Sequence, residues 1–198
     1  MRVTDNRYAG ELDKFDLAVR MIRHEARTGT IRACTGFTED RVRKLVASYF
    51  ERSGTRAIRR QRGKSPRRIE RFVGNARRQA EATLLAALFV YCDAARFNEQ
   101  GECFRPDDAS SLQVGMRLCQ AFETYLTIRE SPQLSFEWAW SLYNAMVESR
   151  EIYFAWCSAC DAPYIQDRYA LDYQRCPGCE TITDTSQRSA DPETHADP

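Results

Sequence analysis

Cys157, Cys160, Cys176 and Cys179 form two C-x2-C pairs separated by fifteen residues. No other feature constrains the fold of this chain as tightly. Each close pair can put two thiolates on one metal ion, and the stretch between the pairs can return the chain as a short hairpin. Four sulfurs suit tetrahedral Zn(II), with Zn–S distances of about 2.3 Å, and they fill the coordination shell. No position is left for a catalytic water, so the expectation is one structural zinc per chain. Iron in the same cage of four sulfurs has the same geometry and stays open as an alternative. Tyr164 and Ile165, then Tyr169, Leu171 and Tyr173, supply β-forming residues for the two arms. Cys176-Pro177-Gly178-Cys179 is a sharp turn suited to aiming backbone N–H groups at sulfur. The other cysteines, Cys34, Cys92, Cys103 and Cys119, do not pair at ligand spacing. Cys92 and Cys119 sit on or near apolar helical faces, where a buried free thiol is ordinary.

Upstream of this motif the pattern is helical. Phe15, Val19, Ile22 and Ala26 predict a first helix closed by Gly29, and Thr30 to Cys34 a very short second one before Gly36. Thr38 is a candidate N-cap for a third, with Val42, Leu45, Val46 and Tyr49 as its inward stripe. A longer helix is expected from about Val73 to Phe97, with Ala80, Leu84, Ala87, Leu88, Tyr91 and Ala95 as its apolar face. Residues 101–111 form a polar connection. Leu112, Gly115, Cys119, Phe122 and Leu126 line the next helix. A last helix is expected to start at Pro132, capped by Ser131, and to run through Trp138, Leu142, Ala145, Ser149 and Ile152.

The predicted fold is therefore mainly α. A helical domain over residues 1–155, with a helix-turn-helix-like part at 12–50, carries a zinc-ribbon-like module over 156–180. Residues 181–198 contain Ile182 as their single large apolar side chain and are acidic, which predicts a disordered tail.

Net charge is only +1, but its distribution is uneven. Between Arg52 and Arg78 eleven Lys/Arg stand against one acid, Glu70, an electrostatic footprint of the kind that nucleic-acid binders carry. In the helix-turn-helix reading, the third helix leaves Arg41, Arg43 and Lys44 available to base edges or phosphates. Arg56, Arg59, Arg60, Arg62, Lys64, Arg67, Arg68 and Arg71 are suited to phosphate contacts, which supply affinity but little sequence choice. A solvated basic loop and plain helix packing would give the same residues without DNA. No run approaches the roughly 20 apolar residues needed to span a bilayer, and residues 1–11 lack the apolar core of a signal peptide. The eight cysteines are therefore expected as thiols and ligands in a reducing, cytoplasmic setting. His24 and His195 are the only histidines, and neither stands in an acid–base context, so an enzyme is not expected.

The stretch from Ala139-Trp140-Ser141-Leu142 through Val147-Glu148-Ser149 to Trp156-Cys157-Ser158-Ala159-Cys160 continues with Tyr164-Ile165 and closes at Cys176-Pro177-Gly178-Cys179. In this order and spacing it resembles the flagellar transcriptional regulator FlhC family. A weaker similarity covers Thr35-Gly36-Phe37-Thr38 with Arg41-Val42-Arg43-Lys44-Leu45, and then Gly63-Lys64-Ser65-Pro66. The resemblance implies a transcriptional activator acting in a hetero-oligomer with an FlhD-like partner on flagellar promoter DNA, with RNA polymerase as a further partner. It also implies a four-cysteine zinc site at Cys157, Cys160, Cys176 and Cys179. The sequence departs from the family pattern in two places. The tail after the last cysteine pair is acidic rather than basic, and the basic charge before the long helix is unusually dense.

Two further classes of function fit the same residues. A zinc-dependent interaction adaptor would use Trp138, Trp140, Tyr143, Tyr153 and Trp156 to dock a partner without touching DNA. An electron-transfer module would carry iron in the cysteine cage.

Overall fold

The computed structural model describes residues 3–48, 69–171 and 174–180. The described part is rich in helix. The first unit comprises α1 (Val3–Arg23), α2 (Thr28–Thr35) and α3 (Glu39–Val46). Then come α4 (Glu70–Val73) and α5 (Ala76–Tyr91), a minimal hairpin of β1 (Arg96–Phe97) and β2 (Cys103–Phe104), α6 (Ser111–Ile128) and α7 (Phe136–Val147). A second antiparallel hairpin, β3 (Ile152–Trp156) with β4 (Pro163–Asp167), completes the order.

Apolar side chains from all the long helices meet in one core. Leu17 and Met21 of α1, Leu85 and Phe89 of α5, Leu118 and Phe122 of α6, and Leu142 and Met146 of α7 belong to it. The same cluster takes in Ile152, Phe154 and Ile165, so the second hairpin grows directly out of the helical body. Two buried carboxylates brace the packing. Glu81 accepts hydrogen bonds from the Tyr125 hydroxyl, from Arg129 Nη2 at 3.1 Å and from the Gln133 backbone N–H at 2.9 Å. Glu137 accepts from the Arg27 N–H at 2.7 Å and from Thr30 Oγ1 at 2.8 Å, which anchors the start of α2 to α7. Acids this deeply buried persist only when fully hydrogen-bonded or paired.

The boundaries of α2 and α3 follow their local signals. Gly36 closes α2 in the left-handed region at φ +72, and the Thr38 side chain accepts from the Arg41 N–H, a cap that contributes about 1 kcal/mol. Val42, Leu45 and Val46 are buried as the stripe predicts, whereas Tyr49 lies outside the described residues.

Elsewhere the predicted helices overrun. α1 ends at Arg23, not at Gly29, and Gly29 lies inside α2. α5 ends at Tyr91, not Phe97, and its buried face is Ala82, Leu85, Ala86, Leu88 and Phe89, leaving Ala80, Ala87 and Tyr91 exposed. α7 ends at Val147, so Ile152 belongs to a strand. The three stops share one cause. Glu25 (φ +60), Asp93 (φ +56) and Arg150 (φ +52) each turn left-handed just past the helix. The Ala26 N–H then bonds Met21 O, the Ala94 N–H bonds Phe89 O, and the Glu151 N–H bonds Ala145 O. These are the closures usually made with glycine, built here from side-chain-bearing residues.

α7 also begins later than predicted, at Phe136 after Ser135 rather than at Pro132 after Ser131. The Gln133 and Leu134 N–H groups donate to the Tyr125 hydroxyl at 3.1 and 3.2 Å, which holds that segment out of the helix. The body is not all-α either, because β1 and β2 interrupt the connection between α5 and α6.

Candidate metal centre

The register of the second hairpin sets up the first cysteine pair. Trp156 stands opposite Pro163, so residues 157–162 form the connection that carries Cys157 and Cys160. Asp161 adopts φ +56, the Asp161 N–H donates to Cys157 O at 2.9 Å, and the Cys157 N–H donates to Ala162 O at 3.1 Å. The result is a tight knuckle. The chain returns where the Ser158 N–H bonds Gln174 O at 2.8 Å, bringing Cys176 alongside. Residues 177–180 make one helical turn, with the Glu180 N–H on Cys176 O at 3.0 Å, and this places Cys179 on the same side.

The arms differ from those expected. The first strand, Ile152–Trp156, precedes the cysteines, and among the described arm residues only Tyr164 and Ile165 are in a strand. Tyr169 and Leu171 are exposed, and Tyr173 lies outside the described residues.

Both edges of the hairpin are tied to the body. On the β4 side Gln79 Nε2 donates to Ile165 O at 2.8 Å, and the Ile165 N–H donates to Thr83 Oγ1 at 3.2 Å. On the β3 side the Phe154 N–H donates to Gly101 O at 2.9 Å. Gly101 has φ +75, and a Cβ there would lie 1.8 Å from Phe154 O, so no other residue fits this approach.

The four sulfurs lie within 4.8 Å of one another, and the Cys160 and Cys176 sulfurs are 3.8 Å apart. In a regular tetrahedron, metal–sulfur bonds of about 2.3 Å imply sulfur–sulfur edges of about 3.8 Å. The cluster is thus sized for one ion. Cys157 is buried, Cys176 and Cys179 are half-buried, and Cys160 faces solvent.

Backbone donors stabilise charge at the inner sulfur. The Cys176 N–H reaches Cys157 Sγ at 3.2 Å. Together with the N–H groups of Ala159 and Cys160 it holds the Cys157 thiol down at about 6. Cys160 faces the Ala162 N–H, yet its thiol is raised by hydrogen bonding with Cys157 and Cys176. Cys179 is pushed up to about 12 by sharing hydrogen bonds with Cys160, Cys176 and Cys157. Sulfurs packed this closely cannot all ionise without a cation between them, which is what a bound metal ion supplies. Of the donors at Cys157, the Cys176 N–H alone belongs to the Cys-Pro-Gly-Cys turn that the sequence marks, whereas those of Ala159 and Cys160, and Asp161 and Gln174, which shape the knuckle, carry no recognisable signal in the sequence.

The residues singled out for DNA are distributed unevenly. Arg41 pairs with Glu11 at 2.9 Å and stacks over Phe37, its guanidinium carbon 3.9 Å from the ring centre. Arg43 pairs with Glu39 at 2.9 Å and Asp40 at 3.3 Å along α3. Lys44 is exposed and has no ion pair among the described residues. Arg56, Arg59, Arg60, Arg62, Lys64, Arg67 and Arg68 lie outside the described residues, as does the acidic tail. Among the described residues no helix is long and apolar enough to cross a membrane. No known family model matches the sequence, and no curated protein is significantly similar to it.

Proposed function

We propose that this chain is a cytoplasmic, non-enzymatic, DNA-binding subunit of a transcriptional activator, with one structural Zn(II) held by Cys157, Cys160, Cys176 and Cys179. The observation that carries the DNA reading is the N-terminal trio. α2 and α3 are joined by the three-residue turn Gly36–Thr38, and α3 buries Val42, Leu45 and Val46 while its charged side faces outward. Two short helices joined through a glycine turn are the proportions of a helix-turn-helix, whose second helix enters the major groove. On α3 that side offers Arg43 and Lys44, and Arg41 nearer its start. The pairs Arg43–Glu39 and Arg43–Asp40 are exposed and worth little in water, so a phosphate or guanine can replace them. The resemblance to the FlhC family extends the reading to an FlhD-like partner, flagellar or related promoters and contact with RNA polymerase. Zinc is preferred over iron because the site serves only to fix a fold.

The test is co-expression with the host's FlhD-like protein, followed by size-exclusion chromatography, metal analysis and fluorescence anisotropy on a promoter duplex. A colourless complex with one zinc per chain, whose duplex affinity falls steeply with salt, is the expected result. A second reading, an adaptor that never touches DNA, draws on Tyr8 and Leu12, two exposed apolar side chains one turn apart on α1. Partner binding with no duplex affinity would favour it, and a coloured, redox-active protein would favour iron.

A further inference from the structure

The sequence places the densest positive charge between Arg52 and Arg78, and the described structure contains the end of that run. There α4 and α5 meet at a corner through Gly74 and Asn75. Arg71 of α4 and Arg78 of α5 line a cleft of about 350 Å³ with Gln133, Leu134 and Trp138. The floor is fixed. The Gln133 N–H is bound to the buried Glu81 carboxylate, and Trp138 meets Phe72 edge to face, with ring centres 5.3 Å apart. The Arg71 guanidinium lies over the Trp138 ring at 5.3 Å, a cation–π contact that orients the cation without neutralising it.

Several arginines among the described residues are spoken for by a carboxylate. Arg20 pairs with Glu123, Arg41 with Glu11, Arg96 with Asp93, Arg129 with Glu81 and Arg168 with Glu102. Arg71 and Arg78 are exposed and make no ion pair among the described residues. Glu70, the one acid of the basic run, lines a different cleft, towards Asp167 and Arg175.

We propose that this cleft is a phosphodiester-binding site for duplex DNA, with Arg71 and Arg78 as the contacting cations. The proposal rests on the DNA-binding reading above and gives it a second foothold, away from α3. Guanidinium groups bind phosphate oxygens through two parallel N–H bonds, and one already placed over an aromatic ring loses less entropy in doing so. The Gln133 amide adds neutral donors at the rim. A polyanion is the fitting ligand because the cleft opens at the end of a run carrying ten excess positive charges, eleven Lys/Arg less one Glu. Contacts of this kind position DNA and add affinity without choosing sequence.

The test is a salt titration of duplex binding by the zinc-loaded full chain, with promoter and unrelated labelled duplexes read by anisotropy. R71A/R78A should lower the slope of log affinity against log salt by about 1.8 on both duplexes, about 0.9 for each lost contact. R71K/R78K should keep the slope. An unchanged slope in R71A/R78A with an unchanged melting temperature overturns the site. If the loss of the Arg71–Trp138 stack disturbs the fold, R78E alone decides, and an unchanged slope there is equally fatal. A wild-type chain with no duplex affinity removes both readings, whereas wild-type binding with an unaltered variant slope removes only this cleft. Polyglutamate that displaces the duplex as well as a DNA competitor of equal charge overturns the phosphate assignment.

Discussion

The helical body and the cysteine cluster share β3 and β4, yet opposite means hold them. In the body, Leu85, Phe89, Leu118 and Leu142 are fully or almost fully buried, and burial of that kind contributes roughly 1.5–3 kcal/mol per side chain. Beyond β4 the large apolar residues Tyr169 and Leu171 are 78% and 81% exposed, and no described residue there joins the core. What brings residues 174–180 back to the knuckle is the Ser158–Gln174 hydrogen bond and the convergence of four sulfurs. The body is stabilised by excluded water, the returning segment by its ligand set. Each should therefore be able to fail while the other holds.

The largest effect should come from the ligands. Structural zinc contributes about 10–16 kcal/mol of apparent free energy in comparable sites. Cys157→Ser should abolish stoichiometric zinc and open the chain after Asp167 to protease, while far-UV circular dichroism still reports a cooperative helical melt. If the helical melt disappears with the metal, the two regions are one unit and the contrast is broken.

A smaller effect in the other direction is expected from Leu142→Ala. Removing this fully buried side chain should cost about 2–5 kcal/mol, read as a lowered melting temperature, with zinc stoichiometry unchanged below the transition. Loss of zinc from the still-folded variant would show that the core holds the ligand geometry after all.

The smallest expected effect concerns charge on the body. Hydrogen bonds from Arg20, and then from His24, hold the Glu123 carboxyl down at about 2 against an ordinary 4.5. A carboxyl depressed in the folded state contributes stability that is fully present above about pH 4.5 and is lost as pH falls towards 2. The side chain is 39% exposed, so solvent screening limits the contribution to about 1 kcal/mol or less. Glu123→Gln should thus be less stable than the wild type in urea titrations at pH 7, and the two should converge near pH 2. A difference that persists at pH 2 would assign the effect to packing rather than charge.

How far the sequence could be read depends on which residues encode the ends of elements. Gly36 and Thr38 are local signals, and the helix ends they mark fall where expected. Glu25, Asp93 and Arg150 terminate three helices with no glycine to announce it, so helical periodicity carried the reading straight through them. Past Arg150 the run Ile152-Tyr153-Phe154-Ala155-Trp156 has the alternation of a strand, but Ile152 also fits the i, i+3, i+4 pattern of the preceding helix. The buried acids were out of reach for another reason. Glu81 is 44 residues from Tyr125 and Glu137 is 107 from Thr30, separations at which single-sequence patterns carry no pairing information. The four cysteines were legible because metal chemistry fixes their spacing locally, and the sulfurs converge as that spacing requires.

The contact between Gly101 and Phe154 bears on the order of events in time. β3 is clamped between the Gly101 carbonyl and β4, and β4 is moored to α5 through Gln79 and Thr83. The knuckle bearing Cys157 and Cys160 is therefore set by the body alone, before any ion arrives. Cys176 and Cys179 sit on a segment none of whose described residues joins the hydrophobic core. An incoming ion should meet a ready two-sulfur claw and then recruit the second pair, so metal uptake followed by stopped-flow should resolve a fast, concentration-dependent capture and a slower, concentration-independent closure.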